Sequence, residues 1–119
     1  MKKFLAVYTG TPESRGAHGW DRLSDEERGA LERKGIEAWT NWMNENAAII
    51  SDTGGPLGKT KNASPNGLSD TKNNLCGYVI IQAETHEAAI KLFDNHPHFS
   101  IFPGDAVEVM ECLPIPGQS

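Results

Sequence analysis

The sequence predicts an α+β domain in which a four-stranded antiparallel sheet carries two helices on one face. Three observations point there. Runs rich in strand formers open and close the chain, at 4–9 and 106–113. Two stretches with apolar residues at three- and four-residue spacing follow the first and third strand-like runs. And 119 residues make one domain, long enough to bury roughly 65% of its unfolded surface without metals or disulfides.

The first strand, 4–9, is closed by Gly10 and Pro12, and the glycine-rich stretch 10–23 reads as a loop. Ser24-Asp25-Glu26-Glu27 then forms a capping box: Ser24 accepts from the Glu27 amide and the Glu27 carboxylate reaches back to the Ser24 amide. From this start Leu31, Gly35, Ala38, Trp39, Trp42 and Met43 make one apolar face, so the first helix covers about 24–45. Gly35 inside that face implies close packing, since glycine costs up to ~1 kcal/mol against alanine in a helix. A short apolar run at 47–51 is the second strand. The breaker-rich stretch 52–74, with Gly54-Gly55-Pro56, Pro65 and Asn66-Gly67, reads as a long turn or frayed hairpin. The run 76–84 is the third and strongest strand. Thr85 caps a second helix with Ala88, Ala89, Leu92 and Phe93 on its apolar face, ended by Pro97. The fourth strand, 106–113, is finished by Pro114 and Pro116.

The order strand, helix, strand, strand, helix, strand contains a βαβ unit twice. With right-handed connections that keep both helices on one side, the simplest solution is the ferredoxin-like sandwich. Alternation divides each strand into two faces. The aliphatic sets, Leu5 with Val7 and Val79 with Ile81 and Ala83, are expected against the helices. The mixed sets, including Phe4, Tyr8, Tyr78, Ile80, Gln82, Glu108 and Met110, are expected on the open face. That face is too apolar to leave in water, so it predicts a homodimer with a partly polar cavity between the two sheets.

Composition excludes several classes. A net charge of −5, without clustered Lys and Arg, argues against nucleic acid. No apolar segment approaches the ~20 residues of a membrane span, and the apolar stretch after Met1-Lys2-Lys3 is shorter than a signal sequence needs. A cytoplasmic location is therefore expected. The two cysteines, Cys76 and Cys112, fall in strand-like runs and read as buried thiols.

His96-Pro97-His98, with Asp94 nearby, is the most suggestive cluster, because imidazoles titrate near neutral pH. Helix capping beside a solvated loop is the plainer reading of it, ahead of binding or catalysis and of a metal. Thr53 to Thr60 nearly matches a phosphate-binding loop, but residues 61–67 cannot continue as the helix such a loop needs. Asp52 reads as the cap of the turn that follows it. Trp39 and Trp42 read as core, Trp20 as a loop residue, and His18 and His86 as surface residues.

The stretches 52–57, 77–84, 87–89, 96–97 and 107–111 together resemble the YCII-related domain family, including its DGPF-type relatives. The match runs the length of the chain, and the order and spacing of the stretches carry it. The resemblance implies a dimeric α/β barrel and a small intracellular protein, in a family many of whose members lack an assigned reaction. Some members carry a His on the first helix and an Asp before the proline that ends the second, proposed as an acid–base dyad. Here the helix reads Glu37-Ala38-Trp39-Thr40 and His96 precedes Pro97, so that dyad does not carry over.

The expectation is a small-molecule-binding or enzyme-like homodimer. Tyr8, Tyr78, Gln82 and Glu108 would line its cavity, with His96 and His98 at the rim, and no cofactor or metal is expected. The alternative is a non-catalytic ligand-sensing or dimerisation module.

Overall fold

The computed structural model describes residues 1–117. Its main sheet contains β1 (Lys2–Thr9), β2 (Ile50–Pro56), β5 (Leu75–Ala83) and β6 (Ala106–Glu111), in the spatial order β2-β5-β1-β6 with every neighbouring pair antiparallel. β1 and β2 are both antiparallel to β5 and hence parallel to each other, as are β5 and β6 through β1. These are the two βαβ units, and the fold is the ferredoxin-like sandwich.

Helix α2 (Asp25–Glu45) begins where the capping box puts it. Ser24 Oγ accepts from the Glu27 amide at 3.1 Å, and Glu27 Oε1 accepts from the Ser24 amide at 3.0 Å. The Ser24 amide, and after it the Ser24 hydroxyl, hold the Glu27 carboxyl below its usual range. Gly35 and Trp42 are buried and Leu31, Ala38, Trp39 and Met43 half-buried, so the apolar face meets the core as expected. A Cβ at Gly35 would overlap the Phe102 ring, which is the close packing the glycine implied.

The second crossover is shorter and broken. α3 (His86–Lys91) is capped by Thr85 Oγ1 accepting from the Ala88 amide. The chain then turns through Asn95, at φ 53°, and restarts as α4 (Pro97–Ser100). Pro97 therefore begins a helix rather than ending one: proline suits a first helical position, where its missing N–H costs nothing. The expected loop at 10–23 holds a further helix, α1 (Pro12–Ala17), and a 3₁₀ turn at Trp20–Arg22. Trp20 is buried against Phe102, with the Arg15 guanidinium over its ring, and is not a free loop residue. The run at 47–49 is a 3₁₀ turn leading into β2. Within 52–74, β3 (Thr60–Ser64) and β4 (Gly67–Thr71) form a separate two-stranded hairpin. Asp52 Oδ1 accepts from the Gly54 amide at 2.8 Å, as a turn cap. No helix follows Thr60, so the near match to a phosphate loop is a strand and a hairpin instead.

The faces of β1 are the reverse of the expectation. Phe4, Ala6 and Tyr8 pack with Val79, Ile81, Ala83, Ala89, Phe93 and Trp42 in the core beneath the helices. Register explains this. Phe4 lies opposite Ile81 and Ala6 opposite Val79, so the aromatic set of β1 must share a face with the aliphatic set of β5. The open face instead carries Leu5, Val7, Tyr78, Ile80 and Met110, with Gln82 and Glu108 among them. Both cysteines are exposed and unpaired, correcting the buried reading: Cys76 stands at a register shift near the start of β5 and Cys112 just beyond the end of β6.

Candidate functional site

A cavity of about 620 Å³ lies between α2 and the ends of β1 and β5, closed on a third side by α4 and the loop after it. It sits on the helix side of the sheet within one chain, not between two sheets. Its walls are mostly apolar and aromatic: Trp39 from α2, Tyr8 from β1 and Phe102 after α4. Glycines open it. Gly77 faces the Tyr8 ring, and a Cβ there would touch that ring and press on the Gly55 carbonyl. Size and lining suit a small organic molecule.

Of two histidines here, His98 lines the cavity and His96 stands behind it, and both are buried rather than at a solvated rim. They are held by backbone. The His98 amide donates to His96 Nδ1 at 3.0 Å, so His96 is the N-cap of α4, with imidazole in the place usually taken by Ser, Thr, Asp or Asn. Because Nδ1 accepts there, the proton of neutral His96 resides on Nε2. His98 Nε2 lies 2.7 Å from the Thr9 carbonyl, which can only accept, so Nε2 donates and Nδ1 keeps the lone pair. The ring is seated by Gly104, where any Cβ would overlap it.

The electrostatics follow from burial. His96 is 1% exposed, and desolvation, helped by repulsion from His98, pushes its pKa down to about 4. Desolvation also lowers His98, against the opposing influence of its bond to Thr9 and of Asp105. Both imidazoles are therefore neutral at pH 7. Burial pushes the Tyr8 phenol up, so it stays protonated. Its ring centroid lies 5.2 Å from each histidine and 4.8 Å from Trp39. Two buried polar atoms in this aromatic cage, Tyr8 Oη and His96 Nε2, have no hydrogen-bond partner among the described residues.

Of the residues singled out from sequence, the structure brings Tyr8, His96 and His98 together, with Tyr78 at the cavity edge. Gln82 and Glu108 lie apart on the open face, where Gln82 donates to Ser51 Oγ at 2.9 Å. Trp39, Phe102 and Gly104 belong to the site and were not singled out for it. Trp39 reads as core from its spacing, and it does pack on the core as well as on the cavity. Gly104 carries no sequence signal beyond a glycine after a proline. Cys76 borders the cavity, and its thiol is raised by burial and by Asp105. Among the described residues, no three His, Cys, Asp or Glu side chains come together as a metal site. No helix is long and apolar enough to cross a membrane.

No protein-family model matches this chain, and no curated protein matches it. Among solved structures, the chain is similar to the 5-chloro-2-hydroxyhydroquinone dehydrochlorinase TftG from Burkholderia phenoliruptrix AC1100, in complex with 2,5-dihydroxybenzoquinone. The TM-score is 0.57 at 16% identity, covering 98% of this chain and 99% of that one. A likeness at that identity establishes a shared fold over the whole length of both chains.

Proposed function

We propose that this protein is a YCII-like, small-molecule-binding homodimer that takes one compact aromatic ligand per subunit in the cavity beside Trp39, Tyr8 and His98. The observation that carries this reading is the cavity itself: about 620 Å³, walled by aromatic rings, with the His98 imidazole and a few threonine and serine hydroxyls as its polar groups. A ring fits such walls by stacking and edge contacts, each worth about 0.5–1.5 kcal/mol beyond area burial. The fold shared with a dehydrochlorinase solved with 2,5-dihydroxybenzoquinone supports hydroxylated six-membered rings as the first class to try.

The homodimer rests on surface area. The chain exposes 8248 Å², against about 6,300 Å² for a monomer of this mass. Part of the excess of about 1,900 Å² belongs to the projecting β3–β4 hairpin. The rest is consistent with an uncovered sheet face, and a standard interface buries about 800 Å² per partner. The barrel that two such faces would close has Leu5, Tyr78, Ile80 and Met110 as its seam.

Native mass spectrometry of tag-free protein tests both parts together. A dimer that takes up one hydroxylated aromatic per subunit is expected. A monomer would remove the open-face argument, and a dimer that binds none of these compounds would remove the cavity reading. Incubation with the bound compound then separates an enzyme from a sensing module, since only the enzyme returns a changed mass.

A further inference from the structure

We infer that the cavity selects a neutral ring bearing a hydroxyl group, and that His98 Nδ1 is the atom that accepts the hydroxyl's hydrogen bond. This rests on the cavity reading above and adds the chemistry of recognition to it.

No Lys, Arg, Asp or Glu lines the cavity among the described residues, so nothing there balances a carboxylate, a phosphate or an ammonium group. Hydroxyls line it too, but Ser14 Oγ is committed to the Thr11 backbone, and those of Thr11, Thr40 and Thr53 rotate to donate or accept and so select neither. The titratable groups at it are Tyr8, Cys76, Tyr78 and His98, of which Tyr78 belongs by register to the open face and meets the cavity only at its edge. Tyr8 Oη is sealed from solvent, and Cys76 lies at the exposed start of β5. His98 differs from both. Its Nε2–H is committed to the Thr9 carbonyl, its amide to His96 Nδ1, and Gly104 fixes the plane of its ring. Nδ1 is left as an acceptor with no donor among the described residues, on a side chain that lines the cavity, and it is not one of the sealed unpartnered atoms. A lone pair held that rigidly is matched by a neutral O–H donor, and is left unpaired by an ether or a hydrocarbon of the same shape.

The test compares 4-methoxyphenol with 1,4-dimethoxybenzene, which differ by one methyl on the hydroxyl oxygen, and with 4-methoxybenzoate as the charged member. Affinities are read from Trp fluorescence or from NMR titration at pH 7.5. The expected order is the phenol about tenfold tighter than the diether, as one hydrogen bond gives, with the benzoate weakest. In His98→Phe the phenol and diether should bind alike. Because that variant also removes one of the two hydrogen bonds to the Thr9 carbonyl, leaving only that from the Asp105 amide, and can fail to fold, a second measurement on the unmodified protein accompanies it. The ¹⁵N resonance of His98 Nδ1 should report an unprotonated nitrogen that moves with the phenol and not with the diether. Equal affinities for phenol and diether, or an Nδ1 resonance unmoved by the phenol, would overturn the assignment to His98 while leaving the cavity reading intact. Binding of none of the three would overturn both.

Discussion

Tyr8 shows at single-residue scale what alternation can and cannot say. The pattern at 4–9 divides the strand into two faces but does not say which one the helices cover. That depends on pairing with β5, which sets Phe4 against Ile81. Once turned inward, Tyr8 loses a partner for its hydroxyl, and a buried unsatisfied hydroxyl costs about 1–3 kcal/mol. Tyr8→Phe should therefore leave the ligand-free protein as stable as before or more so in a thermal melt. A loss beyond about 1 kcal/mol would mean the hydroxyl has a partner. His96 makes a pH prediction. Its folded pKa, about 4, lies below the ordinary value of 6.5, so between these values the unfolded chain binds a proton that the folded chain refuses. Stability is full above pH 6.5 and is lost as pH falls toward 4, by roughly 3 kcal/mol from this residue. His96→Asn keeps a cap acceptor and cannot titrate, so its stability should fall less steeply than the wild type between pH 6.5 and 4.5. Parallel profiles would contradict the buried neutral imidazole. Gly104→Ala should cost at least about 1–3 kcal/mol through overlap with the His98 ring.

At the scale of elements, what was legible was what local chemistry encodes. The box at Ser24 and Glu27 is complete in sequence and complete in space. Ser24→Ala should lower stability by about 1 kcal/mol in urea unfolding, with the slope unchanged. Gly35 announced a close neighbour, although only the fold identifies it as Phe102. The break in the second crossover was not legible, because His96 is an unusual cap and Pro97 ends a helix or begins one with equal ease. The hairpin at 60–71 was half legible. Asn66-Gly67 marks its turn, where Gly67 takes φ 107°, but strands of such polar composition do not announce themselves.

At the scale of the molecule, the topology followed from element order and the rules for connections, and needed no distant contact to be foreseen. The cavity did not follow. It is assembled from a few residues each on elements far apart in the chain, α1, α2, β1, β2, β5 and α4, and the rings of His98 and His96 are held by the Thr9 carbonyl and the His98 amide respectively. The sheet's open face makes a separate prediction. Ile80→Glu should convert the proposed dimer to a folded monomer in light scattering, because a carboxylate at the seam cannot be desolvated unpaired. Loss of folding would show that Ile80 stabilises the single chain instead.

The proposed ligand site lies on the helix side of the sheet, beside Trp39 and His98. Amide chemical-shift mapping during titration with 4-methoxyphenol tests it most directly. Saturable shifts concentrated at Trp39, Gly77, His98 and Gly104 are expected. Saturable shifts concentrated instead at Ile80, Gln82 and Glu108, on the opposite face, or none at all, would contradict it.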